Sequence, residues 1–333
     1  MRIKRILFIF LLVAIIGVIL GVRHYVIYIP TLRIGVNAFA GGEFFSLARK
    51  ALFFEKAGIH VKVVEFGSLE DVQQAFEWNQ VDGMICPLVD AMVVRQKVRH
   101  AKSKVILIPS YINKDFSCQI LVNKSIESVR DLKGKKIGVE INSYGGYVLI
   151  KALKTEGLTL KDITVVPMDP TAALTFLQHE RVDGVVGYPP FIEPLKDLMH
   201  CVYSSENWPK EMQLNVFLLK KKAIRRYRNS LIKFVKSWDD LIDFYKNNPS
   251  NCQQILSAHH LVSQEEADQL FQAVNPLYIE DQVPLFALNR YVLDIMANIN
   301  SEILKNNNLE PRKKQKPLDS IFDTFFIKKT LRW

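Results

Sequence analysis

The chain is poor in the residue patterns that announce metal, redox or nucleotide chemistry. Its 333 residues hold four cysteines, Cys86, Cys118, Cys201 and Cys252, and none stands in Cys-x-x-Cys spacing. That excludes an obvious zinc site or thioredoxin-type motif and leaves buried free thiols as the plain reading. His60, His100, His179, His200 and the His259-His260 pair have no partners at the spacings that a metal or a nucleophile relay needs. No Gly-x-x-x-x-Gly-Lys-Ser/Thr run occurs, which excludes ATP binding by that route, and no cofactor is expected. Helix-turn-helix, RNA-binding and aromatic-interleaved basic patterns are missing too, so nucleic acid is not the expected partner despite a net charge of +10.

That charge is unevenly placed. Arg2, Lys4, Arg5 and Arg23 flank an apolar segment, and Arg312, Lys313, Lys314 and Lys316 cluster in a tail, both suited to anionic lipid headgroups. Ile6 to Val22 is a continuous apolar run of seventeen residues. A bilayer span takes about 20 such residues, and a signal-peptide core about 7–15. Small-x-small spacing after the run is poor and no lipoprotein cysteine follows it. The segment therefore reads as an uncleaved anchor in preference to a cleaved signal, with the positive residues on the cytoplasmic side and a single-pass topology. Residues 1–30 form this anchor and a linker, and the body lies on the far side of the inner membrane.

The body carries an internal repeat. Ile34-Gly35-Val36, Gly41-Gly42, Val81-Asp82-Gly83 and Pro87 recur in order as Ile137-Gly138-Val139, Gly145-Gly146, Val182-Asp183-Gly184 and Pro189. Between the landmarks, helices are expected over residues 44–56 and 69–78 in the first copy, and from 146 and over 171–179 in the second. Strands are expected over 59–64 and 163–166. Two similar α/β lobes built on one plan follow. Lobe one starts near residue 31 and runs to 117, after a last landmark near Tyr111. Residues 118–201, opening with a strand at 118–122, form lobe two. Residues 202–333 read as a mostly helical return to lobe one: a strand at 213–219, a long helix at 223–247, and shorter helices at 252–258, 264–274, 284–298 and 318–325, with no further strands.

At Leu52-Phe53-Phe54-Glu55-Lys56-Ala57-Gly58-Ile59, at Val81-Asp82-Gly83, at Asp131-Leu132-Lys133-Gly134-Lys135-Lys136-Ile137-Gly138-Val139, and at Arg181-Val182-Asp183-Gly184 with Tyr188-Pro189, the chain resembles a known family. These are the periplasmic substrate-binding proteins of ABC importers, in the branch serving nitrate, alkanesulfonates, taurine and thiamine-precursor pyrimidines. The resemblance spans about residues 32–194. It implies a type II two-lobed fold that closes on a small solute and delivers it to a membrane permease driven by a separate ATPase, without catalysis. One branch similar to this family makes the thiamine pyrimidine from pyridoxal phosphate and a sacrificed histidine. That branch carries a Lys and a His where this chain has Met84-Ile85-Cys86-Pro87-Leu88-Val89-Asp90-Ala91-Met92, which counts against the chemistry. A tethered ligand sensor is a third reading, for which the sequence supplies no output domain.

In α/β lobes, ligands sit at strand C-terminal ends, where helix N-termini offer unpaired N–H groups. Those ends nominate Asn37, Phe39, Ser68, Cys86 and Pro87 in lobe one, and Ser143, Tyr144, Gly145, Gly146, Asp169 and Tyr188 in lobe two. Each has a structural alternative. Ser143 to Gly146 also suits a helix cap and turn, Tyr188 a rigid turn before prolines, and Cys86 a small core residue. Asp82 and Asp183 are expected to form turns. Glu43 and Asp90 are expected to serve their own helix dipoles, and a cleft-facing position for either would favour an amine or aminopyrimidine over sulfonate or nitrate.

Overall fold

A computed structural model describes residues 12–17, 31–37, 41–97, 102–257, 264–286, 298, 301 and 318–331. In chain order the strands are β1 (Thr31–Asn37), β2 (His60–Phe66), β3 (Gly83–Pro87), β4 (Ser103–Ile112), β5 (Gln119–Asn123), β6 (Lys136–Val139), β7 (Thr164–Pro167), β8 (Gly184–Gly187), β9 (Met199–Ser204), β10 (Leu214–Lys220) and β11 (Val274–Pro276). They form two sheets, β11-β4-β10-β3-β1-β2 and β7-β6-β8-β5-β9. The chain leaves the first sheet after β4 and returns to it with β10. The two crossings run side by side, with Cys118 N donating to Ser205 Oγ at 3.1 Å and Ser205 N to Cys118 O at 3.0 Å.

The repeat becomes a matched pair of parallel cores. Ile34 of β1 faces Val63 of β2 and Gly83 of β3, and Ile137 of β6 faces Val165 of β7 and Gly184 of β8. Both Val-Asp-Gly landmarks do the same work. Asp82 Oδ2 accepts from Arg33 N at 3.0 Å, and Asp183 Oδ2 accepts from Lys136 N at 2.8 Å. Each carboxylate ties the strand that follows it to the start of the central strand, a firmer role than a turn alone.

Lobe one is filled by aromatic rings. Phe44 and Phe45, on the helix Glu43–Lys50, meet rings from the return segment: Phe45 lies 4.8 Å from Phe217, and Phe54 stacks on Phe234 at 4.2 Å. The return thus seals the first helix of the lobe. Lobe two is mainly aliphatic, with a separate cluster of Leu121, Met168, Val182, Val185, Ile192, Leu195 and Met199 on one side of its sheet.

Several expectations are corrected. The helix expected over 44–56 breaks into Glu43–Lys50 and Phe53–Lys56, because Leu52 takes a left-handed φ of 63°. The long helix at 223–247 is three, Lys221–Arg226, Arg228–Lys236 and Trp238–Asn247, stepping at Tyr227 and Ser237. The segment 171–179 opens as a 3-10 turn, Pro170–Ala172, before the helix Ala173–Gln178. The return contains a further strand, β11, paired with β4. Its shorter helices fall at Pro249–Ser257, Gln264–Gln272, Ile279–Phe286 and Phe325–Thr330, with a 3-10 turn at Leu318–Ile321. Cys201 is exposed, whereas Cys86, Cys118 and Cys252 are buried as expected. Most of the expected anchor, and residues 287–297 of the expected helix 284–298, lie outside the described residues. Among the described residues no helix is long and apolar enough to cross a membrane.

Candidate functional site

The helices that follow β2 and β3 approach the turn after β6 across a gap bridged by polar groups. Past β6, Ser143 caps the helix Tyr144–Thr155: its Oγ donates to Glu140 O at 2.9 Å and accepts from Gly145 N at 3.3 Å. Past β2, Ser68 caps the helix Leu69–Glu77 by accepting from Asp71 N at 3.0 Å. Both are ordinary N-caps, and they aim the two helix starts into the gap.

Four hydrogen bonds cross between the lobes, braced by a fifth within lobe one. Gln73 Nε2 donates to Asp90 Oδ1 at 2.8 Å and to Asn142 O at 3.0 Å. Tyr144 N donates to Asp90 Oδ2 at 3.1 Å, Asn142 N to Glu70 Oε1 at 3.0 Å, and Glu70 N to Glu140 Oε1 at 3.3 Å. Asp90 therefore does more than serve its own helix start, where it also accepts its own backbone N–H. Its fully buried carboxylate joins a lobe-one glutamine to the start of a lobe-two helix.

The electrostatics of the gap are dominated by acid. Burial pushes the Asp90 carboxyl up to about 7, against hydrogen bonds from Gln73 and Tyr144 that pull it down. Burial likewise lifts Glu140 to about 8, and the charges of Asp90, Asp169 and Glu70 add to the rise. Tyr188 is buried, and its hydroxyl is raised by burial and then by Glu140, Asp169, Cys118 and Asp90, which puts it beside the same acids.

The nominated residues fall as follows. Asn37 ends β1, is 7% exposed, and leaves its Nδ2 without a hydrogen-bond partner. Phe39 lies outside the described residues. Cys86 and Pro87 end β3 opposite Val216 and Asn215, and burial pushes the Cys86 thiol well up, so it is no nucleophile. The Tyr144 ring turns into lobe two, against Trp208 at 6.0 Å and with its hydroxyl on Ser205 Oγ, so its backbone N–H is the group at the gap. Gly145 and Gly146 form the buried first turn of the same helix. Asp169 accepts from Thr171 N at 2.8 Å, and its Oδ2 would lie 3.5 Å from a Cβ added at Gly67 of lobe one.

Glu140, Gln73 and Glu70 escaped nomination. For Glu140 the signal was available, since it directly follows the Ile-Gly-Val strand; the turn after it drew the assignment instead. Gln73 and Glu70 carry no such signal, because their partners lie about seventy residues away.

A family model described as NMT1/THI5 like matches residues 44–252. The chain is 25% identical over 158 residues to a candidate binding protein of Brucella abortus (strain 2308), covering 46% of this chain and 49% of that one. To the taurine-binding periplasmic protein of Escherichia coli (strain K12) it is 28% identical over 133 residues, covering 39% and 41%. The chain spans about half the length of the curated relatives it matches. The fold is that of the periplasmic aliphatic sulphonate binding protein SsuA of Escherichia coli, at a TM-score of 0.67 and 16% identity over 89% of this chain and 98% of that one. It is shared by the desulfurization enzyme DSZB, at 0.63 and 15% over 91% and 99%.

Proposed function

Because the chain belongs to the NMT1/THI5-like family, we propose that it is a solute-binding protein that holds a small molecule between its two lobes and delivers it to an ABC importer's permease and ATPase. The observation that carries this reading is the gap itself, where groups from residues 70–90 meet groups from residues 140–144 through hydrogen bonds that a closing motion would make and an opening motion would break. The solute is a sulfonate, taurine, nitrate or a pyrimidine-like molecule, the classes suggested by the resemblance and by the relatives. Its contacts come from the nominated residues Asn37, Phe39, Ser68, Cys86, Pro87, Ser143, Tyr144, Gly145, Gly146, Asp169 and Tyr188, together with Asp90 and Glu140.

The lobes divide at 31–117 with 202–333 in one and 118–201 in the other, a division that the sheet memberships favour except at its second boundary, since β9 of the second sheet runs on to Ser204. Residues 1–30 tether the body to the inner membrane by a single pass, on its periplasmic or extracellular side, a reading supported by the seventeen-residue apolar run and its flanking charges. The fold alone does not separate binder from enzyme, since a desulfurization enzyme shares it. Binding without covalent chemistry is supported by the buried, neutral Cys86 thiol and by the missing Lys and His between Met84 and Met92.

The test is native mass spectrometry of the full chain released from detergent, with thermal shift against the four solute classes. One stoichiometric solute that raises the melting temperature is expected. Turnover of pyridoxal phosphate, or indifference to every solute, overturns the reading.

A further inference from the structure

One carboxylate at the gap is left incomplete by the fold. Glu140 is 5% exposed, its Oε1 accepts from Glu70 N, and its Oε2 has no hydrogen-bond partner. Buried polar atoms are nearly always partnered, and an unpartnered carboxylate oxygen is among the costlier exceptions. No described group donates to that oxygen, the neighbouring Tyr188 hydroxyl included. The charges acting on it are those of Asp90, Asp169 and Glu70, all negative when ionised.

The seat that an anion would take is meanwhile occupied. A helix N-terminus attracts anions through its first free N–H groups. In the helix Tyr144–Thr155, Tyr144 N is given to Asp90 Oδ2 and Gly145 N to Ser143 Oγ. A sulfonate or nitrate would have to displace Asp90 and then sit beside Glu140 and Asp169. A metal ion is no better placed, since among the described residues no three carboxylate, imidazole or thiol side chains converge to hold one.

We propose that the solute is a small organic cation, a protonated amine or amidine whose N–H groups complete Glu140 Oε2 beside Asp90 and Asp169, and that the same residues turn anions away. This rests on the solute-binding reading but sets aside its anionic candidates, sulfonate and nitrate, in favour of a cation. Charge-assisted hydrogen bonds of this kind are short and roughly twice as strong as neutral ones.

Proton balance gives the proposal a signature. With Glu140 raised to about 8 and Asp90 to about 7, chiefly by burial, the free gap holds protons near neutrality. A cation that bonds to ionised Glu140 sends the Glu140 proton to solvent. Affinity therefore rises with pH up to about 8, until the base loses its own proton. The titratable groups facing Glu140 are Glu70 and Asp90 from lobe one, and Asp169 and Tyr188 from lobe two.

The test is calorimetry on the full chain in detergent with shape-matched pairs: benzylammonium and benzamidinium against benzenesulfonate, and butylammonium against butanesulfonate, with nitrate and taurine alongside. Each pair is run at pH 6.5 and 8.5 in buffers of different ionisation enthalpy, which counts protons. The cation of each pair is expected to bind at least about tenfold tighter, about 1.4 kcal/mol, and to release a proton at pH 6.5. Glu140→Gln should lose that preference and the proton release while keeping its circular dichroism. Asp169→Asn, at a half-buried position, should weaken the cation less and serves if Glu140→Gln does not fold. Tighter binding of the sulfonates, or an unchanged cation affinity and proton count in Glu140→Gln, overturns the cation assignment while leaving a solute binder. Silence from every probe of both signs removes the solute-binding reading itself, and the assignment with it.

Discussion

Lobe one enters its first helix through Gly41-Gly42, and the carboxylate that serves this entry is its own: Gly41 N donates to Glu43 Oε2 at 2.6 Å. Lobe two enters its corresponding helix through Ser143, and the carboxylate on Tyr144 N is Asp90, lent from lobe one. The central strands keep the same register in both copies, so the difference lies in who supplies the acid. Lobe one is finished by itself at this edge, and lobe two is finished only when its neighbour arrives. A duplicated scaffold has in this way acquired an interaction that senses lobe separation. Opening would hand Asp90 and Tyr144 N to water together, at a net cost of about 0.5–1.5 kcal/mol per hydrogen bond.

The largest test of this contrast uses the paired glycines. A Cβ at Gly146 would stand 2.0 Å from Ile141 O and 2.5 Å from its carbonyl carbon, backbone atoms that have no rotamer to yield. At Gly42, the matching landmark of the lobe-one repeat, which caps its helix where Gly146 lies inside one, a Cβ would meet the Val36 side chain at 3.2 Å and Asn37 O at 3.4 Å. Overpacking costs about 1–3 kcal/mol and occasionally more. Gly146→Ala is expected at or beyond the top of that range and Gly42→Ala near its bottom. Thermal denaturation of the two variants measures the gap, and equal losses would break the contrast.

The next effect is set by pH. Burial first of all holds Glu43 at about 8, Asp90 at about 7 and Glu140 at about 8, all above their ordinary values. Acids raised in this way bind more protons folded than unfolded. Their stabilisation is complete below the unfolded values near 4 and is lost as pH rises through about 7–8. One unit for one group is about 1.4 kcal/mol, so the chain should lose more than that between pH 5 and pH 8. Glu43→Gln should flatten the curve and leave the lobe separation seen by small-angle scattering unchanged. Asp90→Ala should widen the separation as well. A flat curve in the parent chain, or equal scattering from the two variants, goes against the account.

Much of the scaffold is legible in the sequence because the landmarks fall on its repeating contacts. Ile34-Gly35-Val36 and Ile137-Gly138-Val139 are the central strands, and the two Val-Asp-Gly runs lead into the strands beside them. Of the antiparallel additions, β5 and β10 are legible as apolar runs, and β4, β9 and β11 are not. β4 and β9 carry no expectation, since their partners β10 and β5 lie far away in sequence. The three helices from Lys221 to Asn247 pass for one because the steps at Tyr227 and Ser237 keep the apolar face in phase. At the site, Ser143 and Asp169 follow from the rule that strand ends face the crevice. Asp90 does not, because a residue near a helix start always has a local reason to be acidic, and its real partners come from 17 and 54 residues away.

The smallest effect separates the two aspartates that the copies share. Asp82 Oδ2 and Asp183 Oδ2 each accept a backbone N–H, from Arg33 and Lys136, and an asparagine oxygen can replace that acceptor in both lobes. Only Asp82 also pairs with a guanidinium, Arg33 Nε at 3.0 Å and Nη2 at 3.0 Å. Burial opposes the charged form of Asp82, but the hydrogen bonds and charge of Arg33 outweigh it and hold the carboxyl below its ordinary range. Because the Arg33 side chain is 39% exposed and Asp82 28%, solvent screens the pair, and its worth is at most about 1 kcal/mol. Asp82→Asn should therefore cost up to that amount at pH 7 and Asp183→Asn less. The difference should begin to shrink as pH falls below about 4, the unfolded value, and vanish only at the lower pH where the depressed Asp82 carboxyl is itself protonated. Urea denaturation at pH 7 and pH 3.5 reads both quantities, and a larger loss from Asp183→Asn would show that the backbone bond, not the ion pair, is what distinguishes the copies.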